Sequence, residues 1–267
     1  MAETHFSVDM DALVGWMDGA GLGKGPVSAV TRLTGGTQNI LLRFIRDGRD
    51  YVLRRPPEHP RAESNETMRR ESRLLAALAR TDVPHPALIA ACSDKSVLGA
   101  AFYLMEPVDG FNATAGLPSL HAGSAQIQHR MGLSMIEGLV ALAQVDYQAV
   151  GLSDFGKPEQ WLERQVGRWA NQLASYDAYP QWPGPGPLGD VGAIGEWLER
   201  HRPAHFMPGI LHGDYHLANV MFRNNSGEVA AIIDWELATI GDPLVDLGWM
   251  LATWPDPKAE SMVSVQP

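Results

Sequence analysis

The sequence contains a single cysteine, Cys92, among its 267 residues. One thiol cannot form an intramolecular disulfide or a cysteine-based metal site, so disulfide-rich folds and zinc fingers are excluded. Cys92 lies in the apolar stretch ALIAACSD, which favours a buried thiol over a reactive nucleophile. We therefore expect a protein of the reducing cytoplasm.

Long apolar runs are also missing. No segment approaches the roughly 18 consecutive apolar residues of a membrane helix. The first ten residues, MAETHFSVDM, lack the basic region and apolar run of a secretory signal. These absences predict no membrane span and agree with a cytoplasmic location.

Basic charge is scarce, with 21 lysines and arginines against 31 acidic residues and a formal net charge of -10. Such a chain gains nothing from non-specific attraction to a phosphate backbone, unless it carries a local basic patch. Residues 54–73 form one candidate basic patch, but their interleaved glutamates indicate a solvated helix face. We predict no nucleic-acid partner.

Hydrophobic patterning predicts an α+β fold with two parts. Residues 7–20 fit a short helix capped by Ser7 or Asp9. Five strands and one main helix, over 62–80, are predicted between residues 26 and 108, and Asp47-Gly48 is a turn signal between two of the strands. Helical periodicity dominates from residue 109 onwards, interrupted by a small hairpin built from VMF and VAAIID. The expected boundary follows Val108, giving lobes of residues 1–108 and 109–267.

Two acidic segments carry the strongest chemical signal. LHGDYHLANV, residues 211–220, precedes the predicted hairpin, and IIDWE, residues 232–236, ends it. The hairpin would bring Asn219 and Asp234 to the same end, and an oxygen pair of this kind suits Mg²⁺. Asp214 would remain free to orient a hydroxyl, as metal-assisted phosphoryl transfer requires. Taken singly, each of these residues is more typical of a turn or a cap than of a catalytic site.

The first half contains two weaker signals. Glycines of TGGTQN, residues 34–39, allow backbone N–H groups to approach phosphates, although a simple hairpin turn explains them too. Arg54 ends a predicted strand and Glu71 lies on the following helix. Such a pair holds nucleotide phosphates in some enzymes, and is a weak surface ion pair in others.

These segments together resemble the aminoglycoside phosphotransferase family, which has a protein-kinase-like two-lobed fold. The wider pattern includes GGTQN, YVLRRPP, RRESRLLAAL, FYLMEPVDG and IIDWELATIGDPLVDLGWML, from about residue 26 onwards. It is most similar to the kinase-like domains fused to acyl-CoA dehydrogenases and to their bacterial stand-alone relatives. The resemblance implies an antiparallel five-stranded nucleotide-binding lobe with a hinge, and a mostly helical second lobe.

The resemblance also implies roles for particular residues. Asp214 would be the catalytic base, Asn219 and Asp234 would hold Mg²⁺, and Glu236 would reach a second ion. The implied ATP site comprises backbone and side-chain groups of Gly35, Gly36, Asn39, Arg54, Glu71, Glu106 and Val108. The implied reaction is ATP- and Mg²⁺-dependent phosphorylation of a hydroxyl on a small molecule, with a hydroxyacyl compound or its CoA ester as one candidate acceptor.

The sequence departs from the family pattern at two places. Arg54 stands where kinases usually have lysine, and the two side chains are not interchangeable. Only 21 residues follow Asp246, fewer than the family's second lobe uses, so we expect that lobe to be incomplete and the last helix to expose Trp249, Leu251 and Trp254. The resemblance implies supporting roles for His212, Asp242 and Asp246 around the catalytic loop.

Two other function classes remain open from the sequence. Arg54 and the short C-terminal region are compatible with a nucleotide-binding pseudokinase that regulates without turnover. His212, Asp214 and His216 are compatible with a metal hydrolase, although Gly213 disfavours the helix that the histidine spacing needs and no third ligand is evident. The acceptor and the oligomeric state are not fixed by any motif.

Overall fold

The computed structural model describes residues 8–33 and 39–254. The predicted five-stranded antiparallel sheet is present, with the strand order β1-β2-β3-β5-β4. Its strands are β1 (Ser28–Arg32), β2 (Ile40–Arg46), β3 (Arg49–Arg55), β4 (Leu88–Cys92) and β5 (Phe102–Met105). The helices of this half are α1 (Met10–Gly19), α2 (Ser64–Leu78) and the single turn α3 (Lys95–Leu98).

Local sequence explains where these elements begin and turn. Asp9 caps α1, accepting a hydrogen bond of 2.9 Å from the Ala12 N–H, while the alternative cap, Ser7, lies outside the described residues. Asp47 and Gly48 connect β2 to β3 with φ angles of 52° and 74°. Two consecutive left-handed residues form the tight hairpin turn whose twist matches paired strands.

Helix α2 carries a carboxylate on its buried face. Met68, Leu75 and Leu78 are buried there, and Glu71 is buried with them because it lies three residues after Met68. The face packs against β4 and β5. A charged group is thereby placed beside the end of β3.

The second half is mostly helical, as predicted. Its helices are α4 (Ser119–Ala122), α5 (Ala125–Ala143), α6 (Gln165–Ser175), α7 (Val191–Arg200) and α8 (Leu244–Ala252). Its short strands are β6 (Phe111–Asn112), β7 (Gly209–Leu211), β8 (Val220–Phe222), β9 (Val229–Ile232) and β10 (Thr239–Gly241). The predicted hairpin is β8–β9; β6 joins it as a third strand, and β7 pairs antiparallel with β10.

The hydrophobic core is continuous across the predicted lobe boundary. One cluster combines Val52 and Leu75 of the first half with Met135, Tyr215 and Ile232 of the second. A separate cluster covers the other face of the sheet beneath α1. The core therefore extends across residue 108, and the lobe boundary there stays a prediction.

Helix α2 is also tied to the second half by two arginines. Arg70 donates to the carbonyl oxygens of Phe155 and Ala238 at 2.8 and 3.2 Å. Arg73 donates to the Gly151 carbonyl oxygen at 2.7 Å and pairs with Asp154. These contacts fix the helix that carries Glu71.

Helices α6 and α7 leave an apolar groove open to solvent. The groove measures about 1280 Å³ and reaches Val245 at the start of α8. Trp169 of α6 and Trp197 of α7 line it and are 66% and 53% exposed. Trp249 and Leu251 of α8 and Trp254, just after that helix, are exposed as expected. No helix within the described ranges is long and apolar enough to span a membrane.

Candidate active site

The loop after β7 is held by its neighbours through backbone hydrogen bonds. Asp246 of α8 accepts from the N–H groups of His212 and Gly213 at 2.6 and 2.8 Å. Gly213 has a φ of 85°, and a Cβ there would lie 2.6 Å from the Leu237 carbonyl oxygen. Glycine is therefore required both by the left-handed backbone and by the close approach.

His212 connects the two acidic segments. The Asp214 N–H donates to its Nδ1 at 3.3 Å, so its Nε2 carries the proton and donates to the Ile233 carbonyl oxygen at 2.9 Å. Burial lowers the pKa of His212. The neutral ring bridges the backbones beside Asp214 and Asp234. These contacts agree with a supporting role, which stays a prediction.

The Asp214 carboxylate is held by donors on both oxygens. Oδ1 accepts from the Trp249 indole N–H at 2.9 Å, and Oδ2 accepts from the Asn219 amide at 3.0 Å, with His216 Nε2 at 3.4 Å. Burial by itself would raise the pKa of Asp214, but the hydrogen bonds from His216 and Trp249 outweigh it and hold the pKa below its ordinary value. The carboxylate is ionised at neutral pH and suited to receive a proton.

The β8–β9 hairpin brings Asn219 and Asp234 to one end. Val220 pairs with Ile232, and the Ile233 N–H donates to the Asn219 carbonyl oxygen at 2.9 Å. Asp234 follows with a φ of 66°, a left-handed conformation that redirects the chain after the strand. The Asn219 amide nitrogen faces Asp214, so its carboxamide oxygen is the atom that would ligate a cation.

Arg54 joins Glu71 and Asp234. One guanidinium nitrogen lies 3.0 Å from Glu71 Oε1 and 2.6 Å from Asp234 Oδ1. The other Glu71 oxygen accepts from the Tyr103 hydroxyl at 3.0 Å. Burial raises the pKa of Glu71 to about 7 despite the neighbouring Arg54. The pair is buried, unlike the weak surface ion pair that the sequence left open.

Three carboxylates converge beside Arg54. Glu71, Asp234 and Glu236 offer oxygens that all lie within 4.8 Å of one another. Burial and the adjacent Asp234 charge raise the pKa of Glu236. Proteins bind Mg²⁺ through oxygen ligands that include one or two carboxylates, so the residues present fit a divalent cation.

The remaining predicted site residues follow β5, precede β2 or lie outside the described residues. The Glu106 N–H donates to the Ala87 carbonyl oxygen at 2.9 Å, so the Glu106 carbonyl is the backbone group left to contact an adenine ring. Val108 lies two residues further along the chain. Asn39 lines a cavity of about 350 Å³ with Glu236. Gly35 and Gly36 lie outside the described residues.

Sequence reasoning missed several contributors. Tyr103 pairs with Arg54 across β3 and β5, so the strand register was the signal that would have found it. Glu71 was assigned only as the partner of Arg54, and it also belongs to the carboxylate group. Trp249 was interpreted as an exposed apolar side chain, and nothing local in α8 indicates its hydrogen bond to Asp214.

Comparison with known families resolves the identity of the fold. The model of the phosphotransferase enzyme family (APH) matches residues 29–265. The chain belongs to this phosphotransferase family. Its fold supports phosphoryl transfer to a small molecule, as in a small-molecule kinase.

The curated relatives of this phosphotransferase are long proteins of which it matches one part. Mouse acyl-CoA dehydrogenase family member 10 is 32% identical over 201 residues, which cover 75% of this chain and 18% of the mouse protein. Chicken acyl-CoA dehydrogenase family member 11 is 32% identical over 224 residues, covering 83% of this chain and 27% of that protein. The chain thus spans less than a third of either relative.

Solved structures place the phosphotransferase in the kinase-like fold. A putative aminoglycoside phosphotransferase from Ralstonia eutropha JMP134 is 34% identical, with a TM-score of 0.76, over 94% of this chain and 72% of that one. An aminoglycoside phosphotransferase in ternary complex with ADP and hygromycin B has a TM-score of 0.57 at 16% identity, over 88% of this chain and 74% of that one. The second likeness concerns the fold alone.

Proposed function

We propose that this chain transfers the γ-phosphoryl group of ATP to a hydroxyl of a small molecule, with Asp214 as the base. The observation that carries the proposal is the joining of two acidic segments by His212. One imidazole holds the backbone of Asp214 on one side and that of Ile233, next to Asp234, on the other. A base and a cation-binding carboxylate are thereby kept in fixed relation, which phosphoryl transfer requires.

In the proposed step, Asp214 accepts the proton of the acceptor hydroxyl. The hydroxyl oxygen forms a bond to the γ-phosphorus as the bond to the bridging oxygen breaks, and ADP leaves. Both Asp214 oxygens are already held by donors, so the carboxylate is oriented before the acceptor binds. Its lowered pKa keeps it ionised for this role.

Arg54 would contact the phosphates of ATP. Its Nε is buried without a hydrogen-bond partner among the described residues, and a phosphate oxygen would satisfy it. Glu71 would hold the guanidinium in place, while the Glu106 carbonyl and the Val108 N–H would meet the adenine. Gly35, Gly36 and Asn39 would cover the phosphates.

Magnesium would be held by Asp234, Glu236 and the Asn219 carboxamide oxygen. When bound, the ion neutralises charge on the β- and γ-phosphates. The supporting observation is the convergence of three carboxylates within 4.8 Å. Arg54 would then keep Glu71 and release Asp234 to the cation.

We propose an acceptor with an apolar body, such as a hydroxyacyl compound or its CoA ester. Two observations support this choice. The matched relatives bear the name acyl-CoA dehydrogenase. Val245 of the apolar groove lies one helical turn from Trp249, which contacts Asp214. An acyl chain would follow this face of α8 while its hydroxyl reaches the base.

The test is ADP release from Mg-ATP over a panel of 4-hydroxyacids, their CoA esters and aminoglycosides. Asp214→Asn removes the base, and Asp94→Asn, at an exposed cap of α3, is the matched control. We expect acceptor-dependent ADP with the wild type and Asp94→Asn, and its loss in Asp214→Asn. ATP binding is followed in parallel by thermal shift.

Each result has a distinct meaning. Stimulation by aminoglycosides alone would overturn the acyl acceptor and keep the kinase. Binding of ATP without turnover across the panel would favour a regulatory pseudokinase. Absence of ATP binding would remove the proposal altogether.

A further inference from the structure

Helix α8 contacts three consecutive residues of the catalytic loop. Asp246 accepts from the N–H groups of His212 and Gly213. Trp249, nearly one turn later on the same helix, donates its indole N–H to the Asp214 side chain at 2.9 Å. The backbone of the loop and the orientation of its carboxylate therefore both depend on one helix face.

The Trp249 contact differs in kind from the others at Asp214. Asn219 and His216 both approach Oδ2, whereas Trp249 donates to Oδ1. Rotation about the Cβ–Cγ bond of an aspartate is soft, with a broad range of accessible angles. Donors to both carboxylate oxygens restrict that rotation. Donors to a single oxygen would allow the second oxygen to change position by rotation about the Cβ–Cγ bond.

We propose that Trp249 is a positioning residue that fixes the plane of the Asp214 carboxylate toward the acceptor. The inference rests on the proposed function, because it concerns the base of that reaction. Trp249 is 45% exposed although its N–H is engaged, so the open part of the ring borders the solvent side of the base. The same side chain thus orients the carboxylate and bounds the space in which the hydroxyl arrives.

The first arm of the test measures the contact without any substrate. Indole N–H resonances of the ¹⁵N-labelled protein are recorded at pH 8, and the Trp249 signal is assigned by its loss in Trp249→Phe. We expect this signal to move in Asp214→Asn and to stay in place in Asp94→Asn. An unchanged chemical shift of the Trp249 indole N–H in Asp214→Asn would overturn the proposal.

The second arm separates the N–H group from the ring. Residue 249 is replaced by 3-benzothienylalanine, which keeps the bicyclic shape and substitutes sulfur for the N–H. With the acceptor found in the panel, we expect kcat to fall roughly 10- to 100-fold and the KM for ATP to stay unchanged. Trp254→Phe, on the residues just after α8, should retain full activity. A benzothienylalanine variant with wild-type kcat would show that the ring only fills space.

A third arm tests the positioning role of Trp249 without an activity measurement, for the case that the chain transfers no phosphate to any acceptor. The Asp214 ¹³Cγ signal, assigned with Asp214→Asn, is compared between wild type and the benzothienylalanine variant at pH 8. We expect one narrow signal in the wild type and a shifted or broadened one in the variant. Identical signals would overturn the positioning role, whereas the absence of turnover alone overturns only the proposed function.

Discussion

Arg54 lies 2.6 Å from Asp234 Oδ1, and the same guanidinium nitrogen lies 3.0 Å from Glu71 Oε1. One cation thus offsets the charge of carboxylates from α2 and from the segment after β9. Lysine, which kinases usually have at the matching position, presents a single ammonium, whereas arginine offers several donors in a fixed plane. The departure from the family pattern is therefore compatible with the pairing that the site needs.

Arg54→Met is expected to lower the free energy of unfolding by about 3 kcal/mol, because it leaves buried Glu71 without its partner. Arg54→Lys should lose less, since the positive charge remains. Arg49→Met is the matched control, because Arg49 pairs with Glu106 on the surface and contributes at most about 1 kcal/mol. Urea unfolding measures all three, and equal losses for Arg54→Met and Arg49→Met would contradict the buried-pair account.

Asp234→Asn should remove the magnesium-dependent part of ATP binding. Asparagine tolerates the left-handed backbone at this position, where φ is 66°, so the variant should fold. In thermal-shift experiments, we expect Mg-ATP to raise the Tm of the wild type more than ATP with chelator does. In the variant, we expect the two ligand conditions to raise the Tm equally. Glu137→Gln, in an exposed pair with Arg130, should behave as the wild type. Retention of the magnesium effect in Asp234→Asn would remove that residue from the ligand set.

Asp246 predicts a pH dependence of stability. Burial raises its pKa to about 6 in the folded chain, from an ordinary value of 3.8. A raised pKa means that the group's contribution to stability is full below about pH 4 and is lost as the pH rises through 6. The free energy lost is about 3 kcal/mol at most, from about 1.4 kcal/mol per pKa unit.

Asp246→Asn does not ionise, so its free energy of unfolding should fall less between pH 4 and 7 than that of the wild type. Glu71, whose pKa is also raised, is present in both proteins. Its contribution therefore cancels when the free energy of unfolding of one protein is subtracted from that of the other. Urea unfolding at a series of pH values gives both curves. Parallel curves would mean that Asp246 is not the titrating group.

Gly213→Ala should disturb the catalytic loop more than its backbone strain alone explains. Gly213 and Gly151 have similar φ angles of 85° and 80°, but an added Cβ meets the Leu237 carbonyl oxygen only at Gly213 and has open space at Gly151. Strain of about 1–2 kcal/mol is common to both alanine variants. The additional destabilisation of Gly213→Ala isolates the clash, and ADP release should fall only in that variant. Equal destabilisation would rule the clash out.

The sequence was most informative where local pattern decides the structure. The Asp47-Gly48 turn, the face of α2 and the β8–β9 hairpin follow from residue spacing and turn chemistry. The strands β6, β7 and β10 have two or three residues and form because of tertiary pairing. They are too short for hydrophobic periodicity to predict them from the sequence. The Trp249 contact with Asp214 likewise depends on where α8 lies, which spacing within α8 cannot reveal.

The anchoring of α2 by Arg70 and Arg73 means that ligand binding does not have to reposition this helix. In protein kinases the corresponding helix is repositioned during activation, which brings its glutamate to the phosphate-binding cation. Here Arg70 reaches two carbonyl oxygens of the second half, and Arg73 reaches a third together with a carboxylate. Contacts within the chain hold the Arg54–Glu71 pair together. The binding free energy of a nucleotide is therefore not needed to shift conformational populations toward the paired state.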